Sequence, residues 1–224
     1  MKCMDIISFD VGIKNLAYCI LDPEKRIKDW GIINLDQNPI CQVHLKKKCT
    51  KSATYIVKDE GLINYCCSAH SKKFNKLKKL PPNDLFNISQ KCVEELRKID
   101  FKTIQSVLIE NQPALKNPIM KSIQMIIYTF FIIDGVMDDT NSIESVHMIN
   151  ARNKLKVYQG PSVDCPINND KKNKYKKNKF LSIEYTKNMI KNETEEIIDI
   201  FHQSKKKDDL ADAYLQGIYW IEKK

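Results

Sequence analysis

An apolar run near the start of the chain ends in a carboxylate. Residues 5–21 read DIISFDVGIKNLAYCIL, in which Asp10 closes one apolar run and Gly12 marks a turn before the next. Burying an ionised carboxylate costs several kcal/mol unless it is paired or binds a cation. The pattern predicts a buried strand whose last residue has a task other than packing.

Strand and helix patterns follow one another along the rest of the chain. Strands are predicted at residues 4–10, 15–21, 27–35, 107–110 and 144–149. Helices are predicted at residues 83–98, 118–134, 176–191, 194–203 and 206–221. The tight spacing of the first three strands favours an antiparallel meander. Because later strands alternate with helices, the sequence predicts a mixed α/β sheet in a single domain over residues 1–224.

Three more acidic residues lie on apolar elements. Glu110 ends the fourth predicted strand and precedes Asn-Gln-Pro. Asp209 and Asp212 are three apart on the last predicted helix, so they share a face, and Asp208 could substitute for one of them. The core-facing stripe of that helix is predicted at Leu210, Ala213, Tyr214, Gly217 and Ile218.

Acids placed this way suit a divalent cation. Clustered carboxylates raise one another's pKa, and a bound cation reverses that cost. Carboxylate oxygens with waters suit Mg²⁺ or Mn²⁺, and two such ions about 4 Å apart can drive phosphodiester hydrolysis. The alternative is structural, since an aspartate at a strand end often forms a turn, and Asp208 and Asp209 can cap a helix.

The basic charge of the chain indicates a polyanionic partner. The net charge is +9, and only three of the 37 basic residues are arginine. Lysine is a point charge that suits phosphates, whereas arginine is the usual reader of guanine. The composition favours nucleic acid recognised by backbone and shape, although a lysine-rich surface needs no partner.

The motifs in this order resemble a known family. DVGIKNLAY, VLIENQP and KKDDLADAYLQG are similar to segments of the RuvC-like Holliday junction resolvases of the RNase H-like superfamily. The likeness is greatest to the resolvases of poxviruses and other large DNA viruses and to mitochondrial relatives in fungi. NARNKLK at residues 150–156 is also similar. The resemblance covers about residues 1–35 and 83–224 and points to a large DNA virus as the source.

The resemblance implies a fold and an activity. The fold would be an RNase H-like mixed five-stranded sheet, with its first three strands antiparallel, flanked by helices. The activity would be Mg²⁺- or Mn²⁺-dependent hydrolysis, with two ions per active site, by a homodimer that nicks opposed strands of a four-way DNA junction. The catalytic, metal-binding acids would be Asp10, Glu110, Asp209 and Asp212. Residues that face DNA would be Lys14, Asn15, Gln112 and Lys154.

Two other functions compete with junction resolution. One is an RNase H-like nuclease that acts on flaps, forks or RNA–DNA hybrids. The other is a non-catalytic protein that binds junctions. The complete set of four acids argues against the second alternative, because unused buried carboxylates are costly.

Residues 38–80 form a Cys/His-rich insertion with no clear periodicity. Zinc prefers four sulfur or imidazole ligands in a tetrahedron, and an insertion too small for a core could fold around it. The leading set of ligands is Cys41, Cys49, Cys67 and His70, with His44 or Cys66 as possible replacements. The alternative is a cysteine-rich surface loop. Lysines around the cluster could grip phosphates or simply be solvated.

The remaining features bear on location and surface. The sequence shows no secretory signal, and its eight cysteines favour thiols or metal in a reducing, intracellular compartment, such as host-cell cytoplasm for a viral protein. No membrane partner is expected. Residues 159–179 are predicted as a loop that leads into the solvated start of the helix at 176–191, and the basic run at 171–179 could contact DNA backbone or remain solvated. The apolar helix at 118–134 is predicted to serve both the core and a dimer interface.

Overall fold

The computed structural model describes residues 5–43, 47–58, 64–81, 84–115, 117–168, 170 and 172–223. The chain divides into two compact units. The first comprises residues 1–35 and 89–224, and the second comprises residues 36–88.

The first unit is built on a five-stranded sheet. Its strands are β1 (Asp5–Asp10), β2 (Leu16–Leu21), β3 (Ile27–Ile33), β7 (Ile104–Glu110) and β8 (Ser145–Ile149). They lie in the order β3-β2-β1-β7-β8. β1, β2 and β3 pair with one another in antiparallel fashion, whereas β7 is parallel to both β1 and β8. The predicted mixed sheet and its antiparallel start are confirmed.

Helices surround this sheet. Their bounds are α1 (Leu85–Leu96), α2 (Pro118–Phe131), α3 (Lys174–Met189), α4 (Glu195–Gln203) and α5 (Lys207–Lys223). The boundary between the two units falls within α1, after Ile88. A 3-10 segment at Ala151–Val157 follows β8, and α5 packs against this segment, β1 and β2.

The second unit has a small antiparallel sheet of its own. Strand β4 (Tyr55–Val57) lies between β5 (Tyr65–Cys66) and β6 (Leu77–Lys79), and a 3-10 turn occupies Ser71–Lys73. These strands are two or three residues long, which is too short for alternation to be read from the sequence.

Helix α5 lies very close to the sheet. A Cβ atom added at Gly217 would be 2.6 Å from Cδ1 of Leu21, so any larger residue would force the Leu21 side chain to move where the helix crosses β2. The other members of its predicted core stripe are buried as expected. A side-chain hydrogen bond secures the start of the helix, because Trp30 donates from Nε1 to the carbonyl of Leu210 at 3.1 Å.

Helix α2 continues into a π-helical turn at Ile132–Val136. The combined helix, Pro118–Val136, is 19 residues long and apolar enough to cross a membrane by length and composition alone. Core helices of globular proteins pass the same test, and this helix buries Ile123, Ile127 and Phe131 completely. The prediction that it is a core helix agrees with this packing.

Two sequence predictions differ from the structure. Helix α3 begins at Lys174, two residues before its predicted start at residue 176, so most of the basic run lies on this helix. Strand β7 begins at Ile104 rather than residue 107, with Gln105 and Ser106 buried despite their polarity. Predictions for His44, Lys46, Asn83 and Lys171 lie outside the described residues.

Candidate active site

Two carboxylates lie side by side at the ends of adjacent parallel strands. Phe9 of β1 pairs with Ile109 of β7, so the next residues, Asp10 and Glu110, end their strands together. Phe9 packs on Phe131 of α2, with ring centroids 5.6 Å apart. Because successive side chains alternate across a sheet, Asp10 faces away from α2 and towards α5.

Helix α5 brings the second pair of acids to the same place. Gln216 is buried and donates from Nε2 to Oγ of Ser8 at 3.0 Å and to the carbonyl of Phe9 at 3.2 Å. These bonds hold α5 against the end of β1. Asp212 lies one helical turn before Gln216, so its carboxylate reaches the end of the sheet.

One lysine joins three of the four acids. Lys154 lies in the 3-10 segment after β8, and its side chain is only 6% exposed. Its Nζ atom lies 3.3 Å from Oδ1 of Asp10, 3.1 Å from Oε2 of Glu110 and 3.2 Å from Oδ2 of Asp212. Because these acids come from β1, β7 and α5, the ammonium group connects three distant parts of the chain.

The ionisation of this cluster is strongly shifted. Burial raises the pKa of Asp10 well above its ordinary value, and the Glu110 carboxylate adds to the increase while Lys154 opposes it. Burial also raises the pKa of Asp212. Burial alone would lower the pKa of Lys154, but Asp10, Asp212 and Glu110 raise it above its ordinary value. The ammonium is therefore retained, and it compensates the carboxylates around it.

The fourth predicted acid differs from the other three. Oδ2 of Asp209 is buried and has no hydrogen-bond partner among the described residues. Burial, with the nearby charges of Asp208 and Asp10, raises the pKa of Asp209 to about 6. The neighbouring Asp208 forms an ion pair with Lys179 of α3, and this pair overcomes burial and lowers the pKa of Asp208.

The acids line a cleft of about 440 Å³. Its other walls carry cationic, polar and aromatic side chains, namely Gln112, Arg152, Lys154, Tyr175, Asn178 and Lys179. Tyr175 is 70% exposed, and the Lys179 ammonium lies 5.0 Å from the centre of its ring. The cleft therefore has an anionic floor and a basic, aromatic rim along α3.

The predicted DNA-facing residues lie in different surroundings. Lys14 is exposed and Asn15 is half-buried in the turn after β1. A Cβ atom added at Gly12 would be 2.5 Å from the carbonyl oxygen of Asn15, so this turn requires a glycine. Gln112 lines the cleft, and its backbone N–H donates to Oε1 of Gln124 at 2.8 Å.

Comparison with known proteins places the chain in a family. No protein-family model matches it. A protein of Acanthamoeba polyphaga mimivirus, the uncharacterized protein L451, is 31% identical over 98% of this chain and 75% of its own length. This chain belongs to the L451 family. The predicted likeness to proteins of large DNA viruses is confirmed.

Solved structures show the fold of this L451-family protein. The yeast mitochondrial Holliday junction resolvase Ydc2 has a TM-score of 0.53 and 14% identity, over 96% of this chain and 78% of Ydc2. The fowlpox virus resolvase, solved with a Holliday junction, has a TM-score of 0.47 and 20% identity, over 98% of both chains. The predicted RNase H-like resolvase fold is confirmed.

The acid cluster of this L451-family protein has the chemistry of a divalent cation site. The Lys154 ammonium occupies a cation position among three carboxylates. The buried Oδ2 of Asp209 has no hydrogen-bond partner among the described residues, so it is available to bind a cation. Oxygen ligands of this kind suit Mg²⁺ or Mn²⁺. The residues that could hold the ions are Asp10, Glu110, Asp209 and Asp212.

Asp209 should make the stability of the metal-free protein depend on pH. Its pKa of about 6 lies above the value of about 3.9 for an unfolded aspartate, so the folded state binds more protons between these values. Stability is therefore lost as the pH rises from about 4 through about 6. Because this carboxylate is only half-buried, solvent screening reduces the effect. We expect Asp209→Asn to raise the melting temperature at pH 7.5 by about 2–4 °C.

The same substitution should have no effect on melting at pH 4, where Asp209 is already protonated. Asp199→Asn, on the exposed face of α4, is the matched control and should change melting at neither pH. Thermal melts in the presence of a chelator measure both. If Asp209→Asn melted at a lower temperature than wild type at pH 7.5, the ionised Asp209 carboxylate would not be destabilising the folded protein.

A second group of possible metal ligands lies in the insertion. One ligand atom from each of Cys41, Cys49, Cys67 and His70 lies within 4.8 Å of the others. These are the four leading residues predicted from the sequence, and they could bind zinc. Cys66 is buried in the small core of the same unit but is not a member of the group.

Sequence reasoning missed several residues of the acid cleft. Lys154 was expected to face DNA, but no local signal indicated that its ammonium would lie between three carboxylates. Gln216, which lies outside the cleft and bonds β1, is a polar residue flanked by the core stripe of the last predicted helix, and this is a usable signal. Lys179 lies within the predicted helix 176–191 and Tyr175 just before it, but neither residue is distinguished from the rest of the basic run.

Proposed function

We propose that this protein is an endonuclease that resolves four-way DNA junctions by metal-dependent hydrolysis. The observation that carries the proposal is the convergence of Asp10, Glu110, Asp209 and Asp212 on one cleft of a resolvase fold. Structural acids scattered over three chain segments would have no reason to share one buried site. The resolvase name of Ydc2 supports the junction as substrate.

The four acids would together hold two Mg²⁺ ions: Asp10 and Glu110 from the ends of β1 and β7, and Asp209 and Asp212 from α5. Ions held there would lower the pKa of a bound water and stabilise charge on the leaving oxygen of a phosphodiester.

The protein's own groups would position the DNA and the acids. The rim of α3 offers Lys179 for phosphates and the exposed ring of Tyr175 for stacking, and Arg152 is exposed on the opposite wall. Lys14, Asn15 and Gln112 remain predicted DNA contacts. Lys154 offsets the charge of three of the acids and holds them close together, and it could reach a phosphate only at the floor of the cleft.

A homodimer would present two such clefts to opposed strands. Several apolar side chains of the α2 region are exposed, and they include Met125, Ile133, Val136 and Met137. Beside them is a groove of about 510 Å³, lined mainly by Val93, Met125, Ile126, Phe130 and Ile133. An exposed apolar surface of this kind is typical of an interface. We propose that two copies pair through it.

A charge placed in this surface should separate the protomers. Because Ile133 is 55% exposed, Ile133→Glu would leave the hydrophobic core of the protomer intact. It would introduce one desolvated carboxylate from each protomer into the dimer interface. We expect light scattering to show a monomer, and paired nicking of a junction to become two independent events. Leu115→Glu is the control, since Leu115 is fully exposed in a loop. A dimeric Ile133→Glu protein would place the interface elsewhere.

Cleavage of several substrates tests the proposed specificity. A four-way junction, a flap, a fork and an RNA–DNA hybrid of matched sequence would be compared under single-turnover conditions with Mg²⁺. The proposal predicts the highest rate on the junction. A preference for a flap, fork or hybrid would favour the general RNase H-like alternative, and tight binding without products from any substrate would favour a non-catalytic junction binder.

A further inference from the structure

The second unit has too little apolar core to explain its own fold. Its buried cluster contains Cys41, Val43, Val57, Cys66 and Cys67, so three of the five members are cysteines. Its three strands comprise eight residues in all. Units of this size usually need a disulfide or a structural metal. All seven cysteines in the described part of the chain are free thiols.

Four side chains of this unit meet at one point. Sγ of Cys41 lies 3.4 Å from Nδ1 of His70, and Sγ of Cys67 lies 3.6 Å from the same nitrogen. In a tetrahedral zinc site, with Zn–S near 2.3 Å and Zn–N near 2.05 Å, sulfur and nitrogen ligands are about 3.5 Å apart. We propose that Cys41, Cys49, Cys67 and His70 bind a structural zinc ion.

Hydrogen bonding alone does not account for this arrangement. Nδ1 of a neutral imidazole has a single lone pair, so it can accept a hydrogen from one thiol and not from two. Here two sulfurs approach that nitrogen at nearly equal distances, and Cys49 lies within reach of all three groups. A cation between the four ligand atoms satisfies every one of them at once.

The backbone holds the ligands in place on both sides. The amides of His70 and Ser71 both donate to the carbonyl of Cys67 at 3.0 Å, which fixes the turn from Cys67 to His70. On the other side, the Cys41 amide donates to the carbonyl of Lys51 at 2.8 Å. The Gln42 amide donates to the carbonyl of Tyr65 at 2.9 Å, and this bond joins the segment that carries Cys41 to the segment that leads to Cys67.

The geometry distinguishes Cys67 from its neighbour Cys66. Sγ of Cys67 lies 3.6 Å from Nδ1 of His70 and within 4.8 Å of the other ligand atoms, whereas Cys66 stands outside the group. The geometry therefore selects Cys67 over Cys66, which the sequence left open.

Ligand chemistry decides the ion and its role. Three sulfurs and one imidazole match zinc and not Mg²⁺ or Ca²⁺, which prefer oxygen. Four protein ligands close the coordination sphere, so the ion would stabilise the unit and not carry out catalysis. Exposed lysines nearby, namely Lys47, Lys48, Lys51, Lys72 and Lys73, would offset the charge of three thiolates.

Elemental analysis of the full-length protein tests this inference independently of nuclease activity. We expect one zinc per chain after purification from zinc-supplemented medium and dialysis without chelator. Cys67→Ser and His70→Ala should each reduce the zinc content at least about tenfold. Cys165→Ser, a half-buried cysteine of the first unit, should retain the full zinc content. Asp10→Asn should retain it too, which excludes zinc held by the acids.

A second measurement covers variants that fail to fold. Wild-type protein exchanged with Co²⁺ should show the intense visible absorption of a tetrahedral ion together with thiolate-to-metal charge transfer. Removal of metal with phenanthroline should open residues 36–88 to protease while the first unit stays intact. Protein that contains no zinc and gives only the weak spectrum of six-coordinate Co²⁺ would overturn the proposal. Zinc that depends on Asp10, or persists in Cys67→Ser and His70→Ala, would overturn it as well.

Discussion

Asp10→Asn is expected to reduce the single-turnover rate of junction cleavage on the order of 10³-fold. Asp10 ends the central strand of the sheet, and its carboxylate contacts the same Lys154 ammonium as Glu110 and Asp212, so it belongs to the acid cluster. Asparagine keeps the shape of the side chain but loses the negative charge that would hold divalent ions.

Junction binding by Asp10→Asn should remain close to wild type. The rim residues of α3 are untouched by the substitution, and they would provide most phosphate contacts. Fluorescence anisotropy in Ca²⁺ or chelator measures affinity separately from cleavage. Asp199→Asn serves as the matched control for both assays. Normal cleavage by Asp10→Asn would show that the acid cluster is not the active site.

Lys154→Met is expected to destabilise the metal-free protein by about 3–5 kcal/mol at neutral pH. The substitution removes the ammonium that compensates Asp10, Glu110 and Asp212 and leaves their charges buried together. Denaturant unfolding in a chelator measures this loss. Because the folded-state pKa values of Asp10 and Asp212 are already raised and would rise further, stability should be lost as pH increases and partly recovered at low pH.

Mg²⁺ should stabilise Lys154→Met more than it stabilises the wild type. In the wild type a cation must compete with the ammonium for the same oxygens, whereas in the variant it meets uncompensated carboxylates. Lys98→Met is the control, because the Lys98–Glu95 ion pair is on the surface. Its loss should lower the free energy of unfolding by less than about 1 kcal/mol. Equal stabilisation of variant and wild type by Mg²⁺ would mean that Lys154 and metal do not share a site.

The acids could be predicted because each places a charged side chain within or beside an apolar pattern. Asp10 and Glu110 interrupt apolar strands, and Asp209 and Asp212 lie beside a core-facing helical stripe. Such conflicts between polarity and burial are visible within a few residues of sequence. The five strands were readable for the same reason, since their apolar runs are short and separated by turns.

Features that depend on contacts between segments distant in the sequence could not be predicted from local patterns. Lys154 reaches the acids only because β8 lies beside β7 and the 3-10 segment then packs against α5. Nothing distinguishes it locally from the many other lysines. The predicted start of α3, residue 176, is two residues after the observed start, because only Ser182 and Thr186 are buried on this helix and its first turns carry no apolar stripe. The short strands of the second unit depend on pairings between distant segments.

Cleavage of a supercoiled plasmid that extrudes a cruciform tests the central claim most directly. A dimeric resolvase would nick both opposed strands within one binding event, so the product would be linear DNA. We predict linear product that requires Mg²⁺ and Asp10 and is absent with a plasmid that lacks the cruciform. Cutting that is equal on both plasmids, or that survives chelator or Asp10→Asn, would contradict the account.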